Sequence, residues 1–268
     1  MGTELERLYY DDRKQKINLI FSIIINLAVL VFFKYYGFLL NTIGGIIGIH
    51  IPHPELSLPI GLSFYTFRNL SYLFDIYLSK VSAQRNFLTF SVYSTMFPYT
   101  SAGPIVRYTD IETQLKQRTI NISKFGIGAE LFVKGLAKKV LLADNLSVLY
   151  SSICGHPQMS VFTSWLGILA YTMQLYFDFS GYSDMAIGLG KMLGFDFNKN
   201  FDYPYISTSV SEFWRRWHIS LGSWFRDYIY IPLGGNRVST LKHIRNILVV
   251  WALTGLWHGS KLEFCTNG

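Results

Sequence analysis

The 17 residues from Ile17 to Phe33 carry no charge, and this run sets the solvent the chain is built for. At 1.5 Å per residue, a helix of that length reaches about 26 Å, close to the ~30 Å hydrocarbon thickness of a bilayer. Lys34 follows the run and is expected to snorkel to the headgroups. The rest of the chain agrees. Half of its residues are hydrophobic, 17% are aromatic and 15% are charged, against about 25% charged in an average soluble domain. Mean hydropathy is +0.25. The expectation is an all-α, polytopic membrane protein, read as a single domain over residues 1–268.

Charge orients it. Arg13, Lys14 and Lys16 precede the first run, whereas Tyr35 to Leu58 contains no Lys or Arg. The positive-inside rule then places the N-terminus in the cytoplasm and the HIPHPE loop outside. The N-terminal segment is too charged for a cleavable signal, so the first run serves as an uncleaved anchor in the cell membrane. A net charge of +7 fits cytoplasmic loops facing anionic lipid. No basic soluble module separates out, which excludes nucleic acid as a partner. Cys154 and Cys265 have no close Cys or His partner, and both read as small membrane-core residues. His50 and His53 on the HIPH turn lack a carboxylate cluster, so no metal site is expected.

Leu58 to Leu78 reads as the return span, and Phe162 to Phe179 and Leu241 to Phe264 as further spans. Arg68 and Asp75 share one helical face inside the return span, either as an ion pair or around a wet cavity. Asn86 to Tyr108 has cations at both ends and Pro98, Gly103 and Pro104 at its centre, the pattern of a re-entrant segment. Lys134, Lys138 and Lys139 form a stripe suited to an interfacial helix. Gly190 and Gly194 make GxxxG, read as close helix packing. Standard hydrolase, P-loop and HExxH signatures are absent, and no repeat or linker interrupts the chain.

The segment from Glu212 to Arg237, EFWRRWHISLGSWFRDYIYIPLGGNR, concentrates six charged and seven aromatic residues in 26 positions. Trp214, Trp217, Leu221, Trp224, Phe225 and Tyr228 recur at helical spacing, predicting one interfacial helix that ends at Pro232 and the Gly234–Gly235 pair. Glu212 can pair with Arg215 or Arg216. His218 sits at the edge of the apolar stripe, and His258 lies within an apolar helix in GLWHG. Two histidines, each directly after a tryptophan, suggest a shared polar cavity. There a neutral imidazole could accept a hydroxyl proton as that oxygen attacks an activated acyl group.

YFDFSGYSDMAIGLG (176–190), FWRRWHISLGSWFRDYIYIPLGGNR (213–237) and GLWHG (255–259) resemble the membrane-bound O-acyltransferase family, and particularly its bacterial polysaccharide- and teichoic-acid-modifying branch. SFYTFRNLSYLFDIY and FPYTSAGPIVRY are similar to that branch too. The resemblance implies a helical bundle with a central tunnel and O-acetyl transfer to a cell-surface or exported polysaccharide, alginate- or peptidoglycan-like. It implies His258 and His218 as the catalytic pair. Arg215, Arg216 and Arg226, with Trp217, Asp227 and Trp257, are the candidate substrate-binding residues. No cofactor is expected to be tightly bound. The donor would be acetyl-CoA or an acyl-carrier thioester on the cytoplasmic side, and a separate exported acetyltransferase the partner. Members of the family extend further at both ends, so SKLEFCTNG reads as a truncated terminus. The alternatives from other classes are an inert fragment and a transporter or channel.

Overall fold

The computed structural model describes residues 1–49, 51–52, 54, 56–156 and 159–258, with His258 described by its backbone only. His50, His53, Cys265 and the SKLEFCTNG terminus lie outside the described residues. In chain order the helices are α1 (Gly2–Arg7), α2 (Asp12–Ile47), α3 (Leu62–Tyr77), α4 (Phe87–Thr95), α5 (Tyr108–Lys116), α6 (Ile122–Ala137), α7 (Asp144–Cys154), α8 (Val161–Met192), α9 (Val210–Arg216), α10 (Ile219–Phe225) and α11 (Thr240–His258). π-helical turns at Lys138–Ala143 and Arg226–Tyr230, and 3-10 turns at Phe97–Tyr99 and Pro204–Ile206, complete the regular structure. No strand occurs among the described residues, as the composition predicts.

The chain gathers into two compact units. The first comprises Met1–Thr95, Arg107–Thr109 and the chain from Ser223; the second comprises Met96–Val106 and Asp110–Gly222. In the first, α2 starts where the Asp11 carboxylate accepts the Lys14 N–H and stops at left-handed Gly48. Its 36 residues extend about 54 Å. Among the described residues it is the one helix long and apolar enough to cross a membrane. Ile17, Ile20, Phe21 and Ile24 are exposed along it, a surface suited to lipid.

Lys34 departs from the expectation. The helix continues through it, and its ammonium donates to the Trp257 carbonyl while standing 5.3 Å from that ring. The Tyr35 hydroxyl donates to the Leu256 carbonyl. The two carbonyls are neighbours on α11, so α2 is tied to that helix at two points, and the Lys34 ammonium is taken up by this contact instead of reaching the headgroups.

Helix α3 is the centre of this unit. Arg68 is 1% exposed and Asp75 wholly buried, as their shared face predicts. The partners of Asp75 come from elsewhere: the Tyr228 hydroxyl donates to its carboxylate at 2.8 Å, and the Lys80 ammonium lies at 3.4 Å. The Arg68 guanidinium stands 5.0 Å from the Tyr65 ring. Beside them Tyr108 meets Tyr72 and Tyr93 edge-on at 5.0 and 5.2 Å. The segment expected to be re-entrant is broken: α4 ends at Thr95 and a 3-10 turn follows on Pro98.

In the second unit α6, its π-turn and α7 run along α8. The seam is made by glycines: a Cβ on Gly135 would lie 2.5 Å from the Gly181 carbonyl oxygen, and one on Gly128 would lie 2.7 Å from that of Gly188. Backbones this close bring their lysines onto the neighbouring helix. Lys138 pairs with Asp184 at 2.6 Å, and Lys139 with Asp178 and Asp144 at 2.8 Å. These two lysines therefore face carboxylates rather than an interface stripe, because an isolated ammonium in apolar surroundings is costly. The GxxxG reading is corrected too. Gly190 backs onto the Phe197 ring, and Gly194 takes φ +85° just beyond the end of α8. That pair terminates a helix instead of joining two. Cys154 is exposed at the end of α7, not a core residue.

Capping sets the start of α9. Ser209 Oγ accepts the Glu212 N–H, and the Glu212 carboxylate accepts the Thr208 N–H, the Thr208 hydroxyl and Arg216 Nε. The Thr208 N–H above all, then its hydroxyl and Arg216, holds the Glu212 carboxyl down to about 2 from its ordinary 4.5.

Two outcomes are expected. Gly135→Leu or Gly181→Leu should destabilise the protein in detergent by about 1–3 kcal/mol or more, the scale of overpacking. Gly126→Leu, with open space around its Cβ position, should change little; equal thermal midpoints for Gly126→Leu and Gly135→Leu would contradict the seam. For Glu212, a depressed folded pKa means stability that is full above pH 4.5 and lost as pH falls towards 2. The thermal-midpoint advantage of wild type over Glu212→Gln should shrink across that window. An offset constant with pH would count against this account.

Candidate active site

The predicted single helix from Glu212 is broken in two. Helix α9 ends at Arg216, Trp217 is extended, and His218 takes φ +42° before α10 begins. A left-handed non-glycine residue costs on the order of 1–3 kcal/mol and persists only where its surroundings impose it. Here the imposing group is Asn200, from the loop after α8. Its backbone carbonyl accepts the Ile219 N–H at 2.9 Å, and its side-chain Oδ1 accepts the Ser220 N–H at 3.2 Å. These are orphan donors of the first turn of α10, capped from outside the helix. The Asp202 N–H, two residues further on, donates to the Arg216 carbonyl at 2.9 Å, so the loop is stitched to both sides of the break.

His218 is buried, as are Asn200 and Ser183, each 1% exposed. Asn200 Oδ1 lies 3.1 Å from His218 Nδ1 and accepts the Ser220 hydroxyl at 2.8 Å, while Asn200 Nδ2 donates to Ser183 Oγ on α8 at 3.1 Å. Ser220 Oγ in turn accepts the Ile105 N–H at 3.0 Å. Phe179 meets the imidazole edge-on at 4.7 Å and Phe201 stacks on it at 6.4 Å. The result is a connected polar network inside an aromatic wall, the setting in which hydrogen bonds orient a side chain most firmly. Sequence reasoning singled out His218 but missed Asn200, Ser183 and Ser220. Nothing in FNKNFDYP distinguishes Asn200 from Asn198, so the signal is tertiary.

Trp217 lies in the same wall, stacked on Phe213 at 5.7 Å and edge-on to Phe201 at 5.1 Å. The two arginines of the motif diverge. Arg216 is engaged by Glu212 at 2.9 Å and by the Asp202 carbonyl at 3.1 Å, whereas Arg215 is exposed.

The remaining candidates belong to the first unit. Trp257 packs edge-on against Phe67 at 4.1 Å, and Phe67 also meets Trp224 at 4.3 Å. Trp224 Nε1 donates to the Phe67 carbonyl at 3.1 Å. With Lys34 and Tyr35 on its carbonyls, the turn leading to His258 is held by side-chain packing and hydrogen bonds together. The His258 side chain lies outside the described residues. Arg226 and Asp227 pair with each other at 2.7 Å, and Asp227 also takes Arg107 at 2.8 Å. Burial pushes the Asp227 carboxyl up, but hydrogen bonds from Arg226 and Arg107 outweigh it and hold it below the usual carboxylate range. Arg107, Lys80 and Tyr228 are the charged and polar groups that sequence reasoning missed here.

Comparison with known proteins fits the motifs. Residues 62–268 match the membrane-bound O-acyltransferase family. Over 254 residues the chain is 46% identical to a probable alginate O-acetylase of Pseudomonas aeruginosa, covering 93% of this chain and 49% of that protein. It is 34% identical over 284 residues to the peptidoglycan O-acetyltransferase of Helicobacter pylori, covering 95% and 54%. A teichoic acid D-alanyltransferase of Bacillus subtilis is 29% identical over 239 residues, covering 82% and 58%. The chain spans about half the length of the curated relatives it matches. The matched region holds the histidine seated on Asn200 and the tryptophan–histidine turn clamped by Lys34 and Tyr35, and it takes in most of the sequence: the chain belongs to the membrane-bound O-acyltransferase family.

Proposed function

We propose that this protein transfers acetyl groups to hydroxyls of a cell-surface or exported polysaccharide, alginate- or peptidoglycan-like, from within the cell membrane. The observation that carries the reading is the buried His218 on its Asn200 support, inside a region matching an acyltransferase family that also contains His258. The names of the relatives, an alginate O-acetylase and a peptidoglycan O-acetyltransferase, favour a polysaccharide acceptor.

In this reading His258 is the general base. Its neutral imidazole takes the acceptor hydroxyl proton as that oxygen attacks the acyl carbonyl of a thioester. The tetrahedral intermediate collapses by breaking the C–S bond, and the imidazolium returns the proton to the departing thiolate. His218 is the second catalytic or orienting group. Arg215, Arg216 and Arg226 suit the phosphates of an acetyl-CoA or acyl-carrier donor; exposed Arg215 is the most available of the three. Trp217 and Trp257 are substrate-binding residues in this reading, and Asp227 fixes the direction of Arg226. The donor arrives from the cytoplasm, where the N-terminus also lies. The chain acts as a single catalytic domain and works with a separate exported acetyltransferase.

His258→Ala and His218→Ala should each lower acetate ester on the polysaccharide by about 10²-fold or more, the typical scale of a lost acid–base group. The variants should still accumulate in the membrane. Acetylation at the wild-type level in both variants would refute the assignment.

A further inference from the structure

The geometry points to Asn200 as a positioning residue that holds the neutral His218 ring as its Nδ1–H tautomer and so makes Nε2 the basic nitrogen. This rests on the reading that His218 takes part in acyl transfer, and it adds a residue that no motif marks.

The tautomer follows from donors that have no choice. The Ser220 backbone N–H can only donate, and it points at one side-chain atom of Asn200 at 3.2 Å. That atom must therefore be the amide oxygen, not the nitrogen. The orientation is confirmed at the other end of the amide. Ser220 Oγ accepts the Ile105 N–H and so directs its own proton to Asn200 Oδ1 at 2.8 Å. The Asn200 nitrogen then faces Ser183 Oγ at 3.1 Å. An amide oxygen has no proton to give, so the 3.1 Å contact to His218 Nδ1 requires the proton to sit on Nδ1. In a neutral imidazole the lone pair is then on Nε2.

The same residue fixes the ring's place. The carbonyl and side chain of Asn200 both cap α10 and thereby impose φ +42° on His218. Asn200 itself is anchored to α8 through Ser183. One buried amide therefore sets the backbone, the ring orientation and the protonated nitrogen of His218. Carboxylates and backbone carbonyls do this for histidines elsewhere; here a neutral amide does it, leaving no buried charge to compensate.

The test uses the protein in its native membrane preparation, with three substitutions and one spectroscopic readout. Asn200→Ala should lower kcat for acetyl transfer about 10²-fold, the scale on which ~1 Å of misplacement costs a reaction, with KM nearly unchanged. Asn200→Asp keeps an acceptor for Nδ1–H and for both Ser220 donors, and Ser183 can donate to its second oxygen, so it should restore kcat to within about tenfold of wild type. Nitrogen-15 spectra of histidine-labelled protein, assigned by comparison with His218→Gln, should show Nδ1 protonated and Nε2 bare in wild type. This readout requires neither turnover nor a folded Asn200→Ala. A wild-type ring protonated on Nε2 would overturn the proposal, as would full activity in Asn200→Ala. If His218→Gln itself acetylates at the wild-type rate, the catalytic reading of His218 fails with it. An inactive His218→Gln beside a fully active Asn200→Ala removes only the positioning role.

Discussion

A polar group withdrawn from water must find a partner inside the protein, and in a chain this apolar that constraint organises nearly everything else. Leaving one buried donor or acceptor unmet costs about 1–3 kcal/mol, comparable to a large share of a domain's net stability. The buried carboxylate of Asp75 is met by Tyr228 and Lys80. The Trp257 and Leu256 carbonyls of α11 are met by Lys34 and Tyr35. The first-turn donors of α10 are met by Asn200. Each solution ties together stretches of chain far apart in sequence, and each lies beside a residue of the candidate site.

The same constraint accounts for most of the charges in the motif segment. Arg216, Glu212 and Asp202 satisfy one another, and Arg226, Asp227 and Arg107 do likewise. Most of the charge concentrated between Glu212 and Arg237 is thus paired within the protein. Arg215, Arg226 and Arg237 are the exposed cations of the segment, and of these Arg226 is engaged by Asp227.

Much of the architecture was legible from residue order. Hydropathy located α2, α3, α8 and α11, since long apolar runs admit few alternatives to helix in lipid. Pro98, Gly103 and Pro104 marked the break following α4. The seven-residue spacing of Arg68 and Asp75 put both on the buried face of α3. Other features were misread for identifiable reasons. Aromatic periodicity runs unbroken through Trp217 and His218, so nothing local announces the break; it is produced by capping from Asn200. GxxxG at Gly190 matched a packing motif, but the packing glycines are Gly128, Gly135, Gly181 and Gly188, whose partners lie on another helix. Lys138 and Lys139 looked amphipathic because their carboxylates, Asp178 and Asp184, are about forty residues away.

By itself the sequence determined the solvent, the helical class and the two tryptophan–histidine motifs, because composition and short-range spacing express what each residue needs regardless of context. Only the tertiary structure decided which groups meet those needs. The seat of His218 depends on an asparagine from a preceding loop, a serine from α8 and, through Ser220, the backbone of Ile105, joined by hydrogen bonds of about 3 Å each. Hydrogen bonds act over such distances and are indifferent to sequence separation, so the seating of that histidine is a property of the fold and not of the motif that contains it.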